Sequence, residues 1–386
     1  MQKRMQAGLL FTSIFFTVTV FNSTFILLPL YVLKLGGTEF DAGVQAALFF
    51  AVSILLRFYF GPLADRSGRK IPLIIGVGLF AVTSLMLVFT HTLFSVLLVR
   101  MFQAVALSAF LSSSVSAVAD MAPEGKVGFY MGIYRLVSSL SLLLGPAAAM
   151  QVTALRNEQT WFFLCGLMGI LALGLLMLVP FPDLIQGRTV AAGNPMIGLL
   201  AERRLRPAFA GIGLASLAYG GLLSFAAIHI QQTTSIANPG LYFTVFSLSS
   251  LVFTLFSGGL SDRLGRQRVA WPSVMGLGAG VGLLFGLEWG GMGVLIASGL
   301  LTGVGFNGGL SVLSAWLVDL TPVNNRASAL SIQESIIDFA IGGASFIFGI
   351  LAGWFSLALV FLTCGLLVGG LAAFFFLGAG TGGKTG

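Results

Sequence analysis

The sequence predicts an all-α polytopic membrane protein with twelve transmembrane helices in two pseudo-symmetric six-helix halves. Three observations predict this fold class: the composition, twelve separate apolar segments, and two pairs of repeated motifs. Of the 386 residues, 57% are hydrophobic and only 9% are charged, whereas about 25% are charged in typical soluble domains. So few charges cannot cover a globule of this size, but contact with lipid tolerates an apolar exterior.

The chain contains twelve apolar segments, each long enough to cross a hydrocarbon core of about 30 Å as a helix. They cover residues 8–33, 41–61, 71–90, 94–119, 127–151, 159–181, 208–231, 239–260, 269–288, 291–318, 327–352 and 354–378. Two of them are rich in glycine, around residues 276–282 and 299–309. Glycine lets helix backbones approach in lipid, so we expect close helix packing there.

Lysine and arginine are distributed unevenly between the connecting segments. With the N-terminus inside, 15 of them fall in inner segments and two, Lys34 and Arg156, in outer loops. The positive-inside rule therefore predicts that both termini are cytoplasmic. Because the loops are short, we expect a multi-pass protein of the bacterial inner membrane. The longest connector divides the chain into residues 1–181, a cytoplasmic linker at 182–207, and residues 208–386.

Two motifs occur twice at almost the same offset. The loop GPLADRSGRK at residues 61–70 returns as GGLSDRLGRQ at residues 258–267, an offset of 197. Asp120, which begins the segment DMAP, has its counterpart in Asp319 of DLTP, an offset of 199. The matching offsets indicate a duplicated six-helix unit, an arrangement typical of transporters whose site lies between the repeats.

The first of these loops resembles the signature loop of the major facilitator superfamily, and the resemblance extends over nearly the whole chain. It implies the fold of that family and secondary transport. In the family the loop acts as a conformational latch on the cytoplasmic side in the outward-open state. The resemblance carries this role onto Gly61, Asp65, Arg66, Gly68 and Arg69, with a looser copy at Asp262 and Arg263.

Two further segments resemble family motifs in part. Arg100 and Gln103 are similar to the motif of span 4, with an alanine where the family prefers glycine. Gly145 and Pro146 resemble the span 5 motif associated with antiporters, although three alanines replace the usual glycines after it. Drug/proton antiporters often carry an acidic residue in span 1, whereas residues 22–24 here are Asn-Ser-Thr, which argues against a cationic drug as substrate.

Ionisable residues within the predicted spans cost a few kcal/mol each in lipid, so each should face a partner, water or substrate. There are five of them: Arg57, Arg100, Arg135, Glu334 and Asp338. At about 1.5 Å per residue, Glu334 lies about 12 Å and Asp338 about 18 Å from Arg326, which places Asp338 nearest the midplane. The two acids are four residues apart on one helix face, and their like charges favour proton uptake.

We therefore predict a proton-coupling set of Asp338, Glu334, Arg135 and Arg100. Arg135 aligns with Glu334 at the repeat offset of 199, which places opposite charges at pseudo-symmetric positions. Two alternatives stay open. The acids can form a structural ion pair with Arg57 or Arg135, and Arg100 can snorkel from the outer end of span 4 to the interface.

Spans 1, 4, 7 and 10 line the substrate cavity in the family, and five residues on them are candidates for contact with substrate. These are Asn22, Gln103, Tyr219, Asn307 and Trp316. Packing and helix-to-helix hydrogen bonding are the alternative roles for each of them. His229, near the outer end of span 7, is a candidate external pH sensor.

The sequence predicts a secondary active transporter that exports a small amphiphilic molecule in exchange for protons by alternating access. Proton-coupled uptake of an organic anion or zwitterion is the alternative, favoured by three intramembrane arginines. A non-transporting membrane sensor or scaffold is an alternative of another class. We expect no enzymatic activity, catalytic residue, metal or cofactor. The expected partners are a small-molecule substrate, protons and the lipid bilayer, with no nucleic acid, and the protein is expected to be a monomer.

Overall fold

A computed structural model describes residues 2–123, 126–181, 195–322 and 325–381, and it leaves out the side chains of some residues within these ranges, including 65–67. Contacts within the chain define two compact units, residues 1–189 and 190–386. No β-strand occurs in these four ranges. The predicted division into two six-helix halves joined by a cytoplasmic linker stays a prediction, and the first half of that linker, residues 182–194, lies outside the described ranges.

The first unit contains six long helices. They are α1 (Gln2–Lys34), α2 (Glu39–Ser67), α3 (Lys70–Val88), α4 (Leu93–Met121), α5 (Val127–Leu155) and α6 (Glu158–Met177). Polar residues begin three of them. Thr38 starts α2 and Thr92 starts α4 with reciprocal capping boxes, and the Asn157 side chain accepts a hydrogen bond from the Thr160 backbone at the start of α6. These caps satisfy N–H groups that lack a partner within the helix.

The second unit begins with a short helix and continues with seven longer ones. They are α7 (Pro195–Ala201), α8 (Arg206–Thr233), α9 (Leu241–Leu264), α10 (Arg266–Leu283), α11 (Leu287–Gly303), α12 (Gly309–Leu320), α13 (Arg326–Ala352) and α14 (Leu357–Thr381). A 3₁₀ turn, Leu284–Gly286, separates α10 from α11, and a π-helical segment, Val304–Gly308, joins α11 to α12. Helix α7 lies within the predicted linker, residues 182–207.

The helices account for all twelve predicted spans. Within the described ranges, eleven helical stretches are long and apolar enough to cross a membrane, and one of them runs over 55 residues, Arg266–Leu320. A helix of that length would extend about 80 Å, more than twice the hydrocarbon thickness. The 3₁₀ turn and the positive φ of 48° at Gly291 break this stretch, so it contains two spans. The predicted all-α polytopic membrane fold is confirmed.

The two units repeat the same helix packing. In the first unit α1 packs on α5 and α6, α3 packs on α4 and α6, and α2 packs on α4. In the second unit α8 packs on α13 and α14, α10 packs on α11, α12 and α14, and α9 packs on α11. Gly68 and Gly265, 197 residues apart, end α2 and α9 with φ of 87° and 95°. Only glycine adopts this backbone without strain, so the same turn follows the second helix of each repeat.

Glycines bring α10 and α14 into backbone contact. A Cβ atom on Gly365 would lie 2.5 Å from the Gly278 carbonyl oxygen and 2.5 Å from the Gly282 nitrogen, whereas a Cβ on Gly370 would meet nothing within 4 Å. This is the close approach that small residues permit between helices in lipid.

We expect Gly365→Ala to lower the stability of the protein, because the added methyl group must push α14 away from α10. Overpacking of this kind costs about 1–3 kcal/mol. The matched control is Gly370→Ala, which should melt like the unchanged protein. Thermal unfolding in detergent tests the difference, and equal melting temperatures for the two variants would contradict the contact.

Single cysteines can test the predicted orientation. The native Cys165 and Cys364 are buried, with exposed fractions of 0% and 7%, and should give little background labelling. Arg204 and Arg156 are both exposed, and the charge distribution places Arg204 inside and Arg156 outside. A membrane-impermeant thiol reagent applied to intact cells should label Arg156→Cys and spare Arg204→Cys. The reverse pattern would overturn the orientation.

Candidate functional site

The two repeated motifs are joined by an ion pair in each unit. Arg69 Nε donates to Asp120 Oδ2 at 3.3 Å in the first unit, and Arg266 Nε donates to Asp319 Oδ2 at 2.8 Å in the second. The arginines are 197 residues apart and the aspartates 199. Each pair links the turn after the second helix of a repeat to the end of the fourth span. Sequence analysis missed this pairing, although the matching offsets contained the signal for it.

In the second copy of the loop, the arginine contacts a second carboxylate. Arg266 Nη1 contacts Asp262 Oδ1 at 2.6 Å and donates to Ser261 Oγ at 2.6 Å, so one guanidinium serves two carboxylates. Arg263 is exposed. In the first copy, Gly61 has open space where a Cβ would lie. The side chains of two predicted latch residues of the first copy, Asp65 and Arg66, lie outside the described part of the structure.

The predicted acidic pair lies on α13. Asp338 is the thirteenth of the 27 residues of this helix, and its exposed fraction is 6%. Glu334, one turn nearer the start of the helix, is exposed and accepts a hydrogen bond from Gln333 Nε2 at 3.4 Å. Arg135 is the ninth residue of α5 and is exposed. Asp338 is thus the buried acid at the centre of a transmembrane helix.

Arg100 does not snorkel to the surface, because its exposed fraction is only 1%. Its Nε donates to Gln45 Oε1 at 2.8 Å, and its Nη1 donates to Gln103 Oε1 at 2.9 Å. The guanidinium carbon lies 4.0 Å from the ring centre of Phe49 and 5.0 Å from that of Phe25. We name these five side chains the Arg100 cluster, and all the partners of the cation in it are neutral.

The predicted span 5 motif lies where α5 crosses α1. A Cβ on Gly145 would lie 3.3 Å from the side chain and 3.3 Å from the carbonyl oxygen of Thr19. Ser141, one turn earlier, donates to the Phe15 carbonyl of α1 at 3.0 Å. Pro146 lies inside the helix, where it removes one backbone hydrogen bond and favours a local bend. The motif therefore combines a close helix contact with a weakened helix.

Tyr219 and Asn307 lie near an irregular part of span 10. Tyr219 stacks on Phe306 with ring centres 3.8 Å apart and on Phe246 with ring centres 5.5 Å apart. Phe306 and Asn307 both belong to the π-helical segment, and both Tyr219 and Asn307 are half-buried. Single π-helical turns frequently occur at functional sites. A Cβ on Gly305 would lie 2.6 Å from the Leu277 backbone, so this segment also needs glycine.

The other candidates occupy different surroundings. Trp316 is 6% exposed and packs edge-on against Trp271 with ring centres 6.3 Å apart. Asn22 is half-buried on α1. His229 Nε2 lies 2.9 Å from the Leu284 carbonyl oxygen at the 3₁₀ turn, and its Nδ1 lies 3.1 Å from Thr233 Oγ1. Both ring nitrogens of His229 thus have partners, an arrangement that stabilises the break between α10 and α11.

No cluster of three or more metal-ligating side chains occurs among the described residues.

Comparison with protein families identifies one match that covers most of the chain. Residues 10–233 and 208–384 each match the family described as Major Facilitator Superfamily. An uncharacterised MFS-type transporter of Methanocaldococcus jannaschii is 29% identical over 147 residues, and the match covers 38% of each chain. The quinolone resistance protein NorA of Staphylococcus aureus is 26% identical over 145 residues, which cover 38% of this chain and 37% of NorA. Both matches therefore span less than two fifths of the relatives' length.

Solved transporter structures share the fold. The nucleoside transporter NupG superposes with a TM-score of 0.81 at 14% identity, covering 99% of this chain and 100% of NupG. A POT family transporter superposes with a TM-score of 0.79 at 15% identity, covering 98% of this chain and 96% of the other. At such low identity these similarities concern the fold alone.

Proposed function

Because this chain belongs to the Major Facilitator Superfamily and is a membrane transporter, we propose that it exports a small amphiphilic molecule in exchange for protons by alternating access. The proposal rests chiefly on Asp338. The Asp338 carboxyl group is 6% exposed and lies at the centre of a transmembrane helix. Placing an ionisable group there costs free energy, and such residues mark proton and substrate pathways. In alternating access, such a group takes up a proton in one state and releases it in the other.

Glu334 supports the same role for the acidic pair. It lies one turn from Asp338 on α13 and is exposed, so a proton can move between water and the buried acid along one helix face. Proton transport needs such a connection between the interior and the surface. In this proposal Asp338 carries the proton, Glu334 exchanges it with water, and Arg135 and Arg100 respond to the charge of the pair.

Export is supported by two independent features. Gly145 and Pro146 resemble the antiporter motif, and Gly145 lies against Thr19 of α1. The partial similarity to NorA, which is called a quinolone resistance protein, favours an amphiphilic substrate that leaves the cell.

We also propose that the latch residues stabilise one of the two access states. These residues are Gly61, Asp65, Arg66, Gly68 and Arg69, with Asp262 and Arg263 in the second copy of the loop.

An amphiphilic substrate also suits the surroundings of Tyr219. The stacked rings of Tyr219, Phe306 and Phe246 offer an apolar surface, and the half-buried Asn307 amide in the adjacent π-helical segment offers a hydrogen bond. Most ligand sites combine a largely apolar lining with a few polar groups. We propose that Tyr219 and Asn307 contact substrate, with Asn22, Gln103 and Trp316 as the remaining sequence-based candidates.

Proton flux in everted vesicles tests the proposed function. Vesicles are energised to an acidic interior, and a quinolone, a lipophilic cation or an organic anion is added while a pH-sensitive dye reports the gradient. A transported quinolone or cation should dissipate the gradient in vesicles that contain the protein and leave control vesicles unchanged. Dissipation by organic anions alone would indicate that the exported substrate is an anion. The alternative of anion uptake, for which the buried Arg100 is the supporting observation, is tested with the anion loaded inside the vesicles, where its exit together with protons should dissipate the gradient. No response to any of them would contradict proton-coupled transport of these classes.

A further inference from the structure

Among the described residues, no acidic side chain pairs with the buried charge of Arg100. Arginine stays protonated in proteins, and a buried charge is costly unless it is paired. The two hydrogen bonds of the guanidinium go to the neutral amides of Gln45 and Gln103, and its two ring contacts go to Phe49 and Phe25. The rings attract the cation through their faces, but they do not neutralise it.

The Arg100 cluster also has two donors left over. Arg100 Nη2 and Gln103 Nε2 are both buried and have no hydrogen-bond partner within the described part of the chain. The two groups that carry these atoms are joined by the 2.9 Å hydrogen bond from Arg100 Nη1 to Gln103 Oε1, so both donors belong to one small region. The amide nitrogen of the other glutamine is satisfied, because Gln45 Nε2 donates to the Ala42 carbonyl at 3.1 Å.

From these observations we propose that the Arg100 cluster is a binding site for a small monovalent anion, either a halide or a carboxylate group. Such a ligand supplies both missing elements, a negative charge for the guanidinium and acceptors for Nη2 and Nε2. Arg100, Gln103 and Gln45 are each at most 1% exposed, which excludes a bulky polyanion from the cluster. The proposed anion site depends on neither export nor proton coupling. Anion binding can therefore be measured directly, without a transport assay.

The test measures thermal unfolding of the full-length protein in detergent at constant ionic strength. Sodium chloride or sodium acetate replaces the sodium salt of MES, a bulky sulfonate, step by step, and a ligand that binds only the folded state raises the melting temperature with its concentration. We expect a rise of several degrees for the unchanged protein. Gln103→Glu places a permanent carboxylate beside Arg100, so this variant should melt at the higher temperature already in the MES salt and should not respond to added anion.

The matched control is Gln231→Glu, the same change at an exposed position on α8 in the other unit, which should keep the anion response of the unchanged protein. A response to chloride alone assigns the site to an inorganic halide, and a response to acetate alone assigns it to carboxylate compounds. Identical melting temperatures in all three salts would overturn the proposal and leave the cluster as a self-sufficient helix clamp.

A second measurement covers the case in which Gln103→Glu does not fold. Isothermal titration of chloride and acetate into the unchanged protein should give saturable binding, and Gln103→Leu, which removes the Nε2 donor without adding charge, should weaken that binding at least tenfold. Equal binding by both proteins, or none by either, would exclude the cluster as the anion site.

Discussion

Replacing Asp338 with asparagine is expected to abolish proton-driven accumulation of substrate while leaving substrate binding intact. The amide has nearly the same size as the carboxyl but cannot gain or lose a proton at physiological pH. Asp338 lies at the centre of α13 and is 6% exposed, and buried acids within membrane spans mark proton pathways. The variant should therefore bind substrate and exchange it downhill, but it should not respond to a pH gradient.

Three measurements on one preparation of Asp338→Asn separate coupling from a structural role. These are flux driven by a pH jump, substrate binding, and the melting temperature. Glu288→Gln, a change at an exposed acid in the first turn of α11, serves as the matched control and should behave like the unchanged protein. Intact proton-driven flux in Asp338→Asn would remove Asp338 as the carrier. A lower melting temperature together with loss of binding would instead favour a structural ion pair.

Replacing Glu334 is expected to have a smaller effect than replacing Asp338. Glu334 is exposed and lies one turn from Asp338, so it can deliver protons to the buried acid but carries little of the burial cost. Glu334→Gln should slow proton-driven flux without abolishing it. A complete loss in Glu334→Gln with normal flux in Asp338→Asn would reverse the proposed roles of the two acids.

The membrane fold could be predicted because apolar composition and span length are local properties of the sequence. Eleven of the twelve apolar segments each correspond to one helix whose ends shift by a few residues, and span 10 covers α11, the π-helical segment and α12. The break within span 10 could not be predicted in this way. A π-helical turn adds one residue to a helix without changing its apolar character, and the glycines at 303, 305 and 308 indicate close packing without indicating where the helix widens. Helix α7 was missed because seven residues are too few for a periodic pattern.

The sequence predicts a site residue only where the position of that residue within its own segment determines whether it is buried. An acid at the middle of an apolar segment must lie inside the bundle, and Asp338 does. The partners of Arg100 were not predictable, because Gln45 lies 55 residues away on another helix and no local pattern joins them. The ion pair of Arg69 with Asp120 was equally difficult to predict, since the two residues lie 51 positions apart in the sequence. Only the matching offsets of the two repeated motifs indicated it.

The second large effect is expected at the loop after span 2, where Asp65→Asn should lower transport about tenfold, equivalent to a loss of about 1.4 kcal/mol from one access state. Expression and melting temperature should stay near normal, because Asp65 lies in the last turn of α2 and a single charge at the end of a helix adds little to the stability of the fold. Direct measurement of substrate flux per molecule of purified protein tests this. Full cycling by Asp65→Asn would remove the latch role carried over from the family resemblance.

Asp262→Asn, the same change in the repeated copy of the loop, is the matched control. It should lower transport less than Asp65→Asn does. Arg266 contacts Asp262 at 2.6 Å, but it also donates to Asp319 at 2.8 Å and to Ser261 at 2.6 Å. When the Asp262 charge is removed, the guanidinium keeps a carboxylate partner, so the turn at Gly265 should stay linked to the end of α12. The double variant Asp262→Asn with Asp319→Asn removes both partners and should slow transport more than the product of the single effects. Simple additivity of the two changes would show that Arg266 does not join them in one latch.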